Sequence, residues 1–352
     1  MEVVTEVISL HLEEPFVIAR GRTEATRNVL VRIRYRDREG IGEVAPSSFY
    51  NQSVEKVLET VPQIARCLPD TPFCVRHIFY DLSERFGDAA SLCATDIALW
   101  DLHAKTLNAP LYRILGLDPQ RTPKTSYTLS IAEPHKVAER AKRVSQYPIL
   151  KIKLGTKAQL GEDLDVEVIE ALREVYGGTV RVDANCAWTV DEAIDKIYAL
   201  QAYDIEFYEQ PIPPGDPGDF ARLKKGVPDA VIVADESCVE PQDVARLAPV
   251  VDGVNIKLVK CGGITPALRM IETARACGLR VMLGCMIESS CLITAAATLS
   301  PLVDWADLDG NLLVADDPFV GVTLDENARL LLPDRPGLGL IPRKTNLHDG
   351  KE

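Results

Sequence analysis

The stretches VRVDAN (180–185), EFYEQ (206–210) and VIVADES (231–237) decide the reading of this chain. Each is a short run of β-branched or aromatic residues ending in an acid, the pattern of a strand whose last side chains leave the core. Asp183, Glu209 and Asp235 follow one another at intervals of 26 residues, the length of one strand, one helix and their loops. Three adjacent strands of a parallel sheet would then hold three carboxylates at one height.

Working outward, the same unit repeats. YTLSI (127–131) and LKIKL (150–154) precede these runs, and VNIKL (254–258), RVMLGCM (280–286) and VDWADLDG (303–310) follow them. Polar amphipathic stretches at 134–146, 162–175, 190–201, 240–248 and 264–277 read as intervening helices, several opened by Pro, Asp or Thr. Eight strands alternating with helices predict an α/β fold with a closed parallel barrel. The competing class, a doubly wound open sheet, carries a Gly-rich phosphate turn after its first strand, and none follows YTLSI. Residues 1–122 read as an α+β domain, with strands in VVTEVISLHL and VLVRIRYR ahead of helical segments through SLCATDIALWDLHAKTL. The barrel is expected over 123–315. Residues 316–352 hold Pro and Gly but no further strand-helix unit, and are expected to return to the N-terminal domain.

Composition narrows the function. The 352 residues are 46% hydrophobic and 26% charged, a globular balance, and no apolar run is long enough to cross a bilayer. A net charge of −13 repels nucleic acid and anionic membranes, which leaves small molecules as the expected partners. Nine cysteines without CxxC spacing argue against a disulfide framework or a thiolate zinc site. The opening MEVVTEVISLHLEEPF lacks a basic flank, an apolar core and a small-residue cleavage site, so a cytoplasmic protein is expected.

Barrel active sites sit at the C-terminal ends of the strands. Singly, each acid there could cap the helix that follows it. Three in register suit Mg²⁺ better, because it prefers octahedral oxygen coordination and keeps part of its water. In LKIKL, Lys151 and Lys153 are two apart and share a face, while Leu150, Ile152 and Leu154 take the other. In a ring of eight, the second and sixth strands are opposed, so Lys153 and Lys257 would face each other across the mouth with the acids between them. One base on each side of a carbon is what stereochemical inversion needs. For a lysine to act near neutrality its pKa must fall from about 10.4 toward 7, a differential cost of roughly 4–5 kcal/mol. A charged Lys151, a divalent cation and partial burial would all push Lys153 that way, and Lys151 could also pair with a substrate carboxylate.

KIK (151–153), VDAN (182–185), EQP (209–211), ADES (234–237), NIKLVKCGG (255–263) and DLDG (307–310), with PFVIARGRTEA (15–25) and ALWDLHAK (98–105), together resemble the enolase superfamily. The resemblance is to its muconate-lactonising branch, and within that to the dipeptide epimerases. It implies a modified (β/α)₇β TIM-type barrel with an α+β capping domain, Mg²⁺ on Asp183, Glu209 and Asp235, and Lys153 and Lys257 as the acid/base pair. The implied chemistry removes the proton α to a carboxylate and returns it from the opposite face, a lysine-and-Mg²⁺ pattern general to this superfamily.

Asp307 and Asp309 match the family position that binds the substrate α-ammonium group, and paired acids suit that charge. Thr128 matches a substrate-contacting position. The resemblance places Arg20 and Arg22 in a loop that closes over the site, and Ile287 in a turn lining the pocket. Trp188 is expected either to shield the metal side or to pack in the core. The resulting expectation is a dipeptide epimerase with a lean to L-Ala-D/L-Glu because of the loop arginines. Hydrophobic or cationic dipeptides, an N-acylamino-acid racemase and an o-succinylbenzoate synthase remain alternatives. Relatives often assemble, so a homo-oligomer is left open.

Overall fold

The computed structural model describes residues 1–343. Its N-terminal part is an antiparallel sheet of β1 (Glu2–Ile18), β2 (Gly21–Tyr35) and β3 (Arg38–Val44), backed by helices α1 (Val54–Ala65), α2 (Val75–Arg85) and α3 (Ala89–Thr106). Helix α3 is buried along most of its length because it lies between this sheet and the barrel. Close approach on the sheet side depends on glycine. A β-carbon on Gly40 or Gly42 would run into the carbonyls of Ala98 and Ala94. On the barrel side, Asp96 of α3 accepts the N–H and hydroxyl of Thr265 at 2.8 and 2.6 Å, and the Trp100 indole donates to the same hydroxyl at 2.9 Å.

The barrel strands follow in sequence order and all run parallel. They are β4 (Tyr127–Leu129), β5 (Ile149–Lys153), β6 (Thr179–Asp183), β7 (Ile205–Glu209), β8 (Ile232–Ala234), β9 (Gly253–Ile256), β10 (Arg280–Gly284) and β11 (Trp305–Asp307). A bridge between Thr125 and Ala306, with the Ser126 N–H on the Ala306 carbonyl at 3.1 Å, joins the last strand to the first and closes the ring. All eight expected runs form strands; most lose the residues that turn into the loop, while LKIKL and EFYEQ keep their length and shift one residue toward the N-terminus. The helix Ser290–Thr298 escapes the amphipathic pattern because it is buried on every side, against β3 and β10, and so has no polar face.

Alternation along the strands stacks the barrel interior in layers. Phe207, Val233, Met282 and Trp305 form an apolar floor, and the Arg181 guanidinium lies 5.2 Å over the Phe207 ring. Two residues further along the same strands stand Glu209, Asp235 and Asp307, with Asp183 two beyond Arg181. Near the end of the described chain, the Leu338 N–H donates to Asp101 of α3 at 2.7 Å, and the Leu111 N–H to the Gly337 carbonyl at 2.8 Å.

Candidate active site

Strand register sets the site. Lys153 on β5 is the lateral partner of Asp183 on β6, and Asp183 that of Glu209 on β7. Asp235 follows directly on β8. One oxygen from each of the three acids lies within 4.8 Å of the others, and all three residues are fully buried.

The lysines meet carboxylates. Lys153 Nζ donates to Asp183 Oδ2 at 2.6 Å, and Lys257 Nζ to Asp235 Oδ2 at 2.7 Å, so β5 and β9 deliver them to opposite ends of the acid cluster. Both line one cavity of about 280 Å³. Burial opposes the charged form of Lys257, but Asp235 outweighs it and raises its pKa well above the ordinary lysine value. Burial alone would raise the Asp183 carboxyl, yet Lys153 and Lys151 hold it far below its usual range. Lys257 and Lys260 do the same for Asp235. Glu209 is pushed up, by burial and then by the Asp183 charge.

Lys151 meets three carboxylates at once. Its Nζ is completely buried and lies 2.6 Å from Asp307, 2.7 Å from Glu209 and 3.1 Å from Asp183. Against burial, these three carboxylates raise its pKa well above normal. Its ammonium therefore stays charged and faces these acids. The strands β5 and β11 flank β4 in the closed ring, so one ammonium joins the end of β11 to the acid cluster.

Asp307 also accepts the Ser126 hydroxyl at 2.6 Å and the Thr128 hydroxyl at 3.4 Å. Among the described residues, Asp309 accepts only the Thr128 N–H at 2.6 Å and a weak contact from the Cys285 thiol. Burial, then the neighbouring Asp307 charge, raises its pKa. Thr128, Asp307, Asp309 and Ile287 all line the cavity.

The cap arginines separate. Arg20, in the turn between β1 and β2, lines the cavity, with its Nη1 2.6 Å from Glu236 Oε1 and 2.9 Å from the Asn185 carbonyl. Arg22 is no lining residue. Alternation along β2 sends Thr23 to the cavity and Arg22 to the exposed side, where it pairs with Glu24 at 2.8 Å. Trp188 is buried and donates to Asp165 at 2.9 Å.

Comparisons with known proteins agree with this geometry. Residues 1–116 match the family model of the mandelate racemase / muconate lactonizing enzyme N-terminal domain, and residues 136–345 that of the enolase C-terminal domain-like family. The chain belongs to the enolase superfamily. An L-Ala-D/L-amino acid epimerase of a Maribacter species is 36% identical over 97% of this chain and 99% of its own. An L-Ala-D/L-Glu epimerase of Bacteroides thetaiotaomicron is 39% identical over 94% and 85%. The crystal structure of a dipeptide epimerase from Enterococcus faecalis, complexed with Mg and L-Leu-L-Tyr, superimposes with a TM-score of 0.88 at 33% identity, covering 96% of this chain and 98% of that one. Within the superfamily, this chain is an isomerase of the racemase and epimerase class.

The donor set of this superfamily member fits a hard divalent cation. Glu209 Oε2, Glu236 Oε2, Asn185 Oδ1 and Asn255 Oδ1 are buried acceptors without a hydrogen-bond donor among the described residues, gathered around the acid cluster. Lys151 approaches Glu209 Oε2 at an angle that makes no hydrogen bond. Buried oxygens left this way are costly unless something positive meets them.

Several contributors are absent from the expected site. Lys260 is buried and donates to both Oδ1 and the carbonyl of Asp235 at 2.6 Å, and to the Asn255 carbonyl at 2.9 Å. Asn255 Nδ2 donates to Glu209 Oε1 at 2.8 Å. Gln210, at a positive φ of 34°, accepts the N–H groups of Asp235 and Ser237 and ties β7 to β8. Asn255 had a signal, standing two residues before Lys257 on the same face. Lys260 sits in a four-residue helix whose direction no periodicity announces.

Proposed function

We propose that this chain is a Mg²⁺-dependent dipeptide epimerase that inverts the α-carbon of the C-terminal residue of L-Xaa-D/L-Xaa dipeptides. The observation that carries it is the pair Lys153 and Lys257, entering one cavity from strands four apart in the ring with three carboxylates between them. The relatives named as epimerases support it.

Asp183, Glu209 and Asp235 are the residues that would hold the ion. Bound there, Mg²⁺ would supply positive charge that holds the substrate carboxylate and offsets the negative charge developing on it. Asn255 and Lys260 keep two of the acids aimed inward. Lys153, as the free amine, takes the α-proton from one face, and the C–H electron pair moves onto the carboxylate to give an enediolate. Lys257, as ammonium, returns a proton to the other face. The reverse assignment handles the opposite epimer, so no proton or electron is gained or lost overall. Lys151 remains charged and stabilises the same negative charge. Asp309, the less engaged acid of the DxD pair, receives the substrate ammonium group, with Asp307 and Thr128 fixing its position.

The test is α-proton exchange. Incubation with Mg²⁺ and a dipeptide mixture in deuterated water is expected to place deuterium at the C-terminal α-carbon and to produce the second epimer. No label with any dipeptide, while Mg²⁺ raises the melting temperature, would count against the reading.

A further inference from the structure

Resting on that epimerase reading, we infer that the side chain at the inverted carbon is received by a pocket without net charge. The preferred substrates are then dipeptides whose C-terminal residue carries a neutral, apolar or hydroxyl-bearing side chain. Geometry leaves this group one direction. The carboxylate lies at the three acids, the amine end at Asp309, and Lys153 and Lys257 occupy the two faces of the α-carbon. Below lies the floor of Phe207, Val233, Met282 and Trp305. The remaining substituent must project toward the N-terminal domain. There the cavity is lined by Phe16, Ile18, Thr23 and Pro46, with Met286 and Ile287 from the loop after β10.

Arg20 is the one cation that the N-terminal domain contributes to the described lining, and its charge is already matched. Nη1 is shared between Glu236 Oε1 and the Asn185 carbonyl, and the guanidinium carbon lies 4.4 Å over the Phe49 ring. A glutamate side chain reaching Arg20 would stand beside the Glu236 carboxylate, a like-charge contact that cancels much of the attraction. No acid from the N-terminal domain lines the described cavity, so a lysine side chain finds no counter-ion on that side either. Arg20 is a latch holding the β1–β2 turn to the ends of β6 and β8, and not a reader of substrate charge.

The experiment compares kcat/KM for L-Ala-L-Leu, L-Ala-L-Glu and L-Ala-L-Lys in the wild-type protein and in Arg20→Met. The neutral substrate is expected to exceed both charged ones by at least about tenfold, the scale set by burying an unpartnered charge. Arg20→Met, if folded, should lower Leu and Glu substrates by the same factor. Turnover with Glu equal to or better than Leu, or a selective loss of Glu turnover in Arg20→Met, would overturn the inference and leave the epimerase reading intact. Turnover of none of the three would overturn both.

Discussion

At the seam between the N-terminal domain and the barrel, Glu43, Asp96 and Asp101 are 0–1% exposed, as buried as Asp183, Glu209 and Asp235 at the barrel mouth. Their surroundings differ in kind. Asp101 receives the Ile41 N–H at 2.9 Å, the Leu338 N–H at 2.7 Å and the Lys105 ammonium at 2.7 Å. Glu43 receives Asn28 at 2.7 Å, the N–H groups of Ser289 and Leu292, and the Ser289 hydroxyl. These acids are saturated by fixed donors and act as rivets. At the mouth, acids crowd one another, lysine ammonium groups supply most of their donors, and several neighbouring oxygens have no donor among the described residues. Burial alone therefore does not mark a reactive carboxylate. Convergence with acceptors left over does.

The largest expected effect breaks the mouth alone. Lys153→Ala or Lys257→Ala should reduce epimerisation by at least about a thousandfold, the scale of losing a positioned acid/base group. Polarimetry would read it, and an equal loss from Asp101→Asn in folded protein would erase the distinction between the two regions. Thermal unfolding sharpens it next. Asp101→Asn should cost about 3 kcal/mol of stability, because it disrupts a buried pair, yet keep the Mg²⁺-induced stabilisation. Asp235→Asn should lose that stabilisation, which for the wild type is about 2.7 kcal/mol at a hundredfold excess over Kd.

Acetylating the substrate amine should lower kcat/KM by about a hundredfold, since Asp309 would lose a buried ionic partner. Full activity on the acetylated dipeptide would instead favour an acylamino-acid racemase. The smallest effect concerns Asp96, whose carboxyl burial raises from 3.8 to about 7. A raised folded-state pKa gives stability that is complete below the unfolded value and lost as pH climbs to the folded one. From pH 5 to 6 the wild type should therefore lose about 1 kcal/mol that Asp96→Asn does not. Parallel pH profiles for the two proteins would contradict this.

The barrel and its acid cluster were readable in the chain because one strand-helix unit has a nearly constant length and strand side chains alternate. Those two regularities locate Asp183, Glu209 and Asp235, and they place Lys153 and Lys257 in opposition. What escaped depends on distances across the ring or between domains. That Lys151 reaches both Asp307 and Glu209, each two strands away on either side, follows from the ring closing through β4, which no local pattern encodes. Arg20 and Arg22 look equivalent in ARGR, and only the turn into β2 sends one to Glu236 and the other to solvent. Lys260 lies on a helix too short to show a period. Ser290–Thr298 is buried all round, so its apolar residues mark no face.

The claim that two bases act from opposite sides of one carbon is tested most directly by epimer-specific exchange in deuterated water. Lys257→Ala, with Mg²⁺ bound, should exchange the α-proton of one epimer without inverting it, and Lys153→Ala should exchange only that of the other. Exchange of the same epimer by both variants, or of both epimers by either one, would contradict the account.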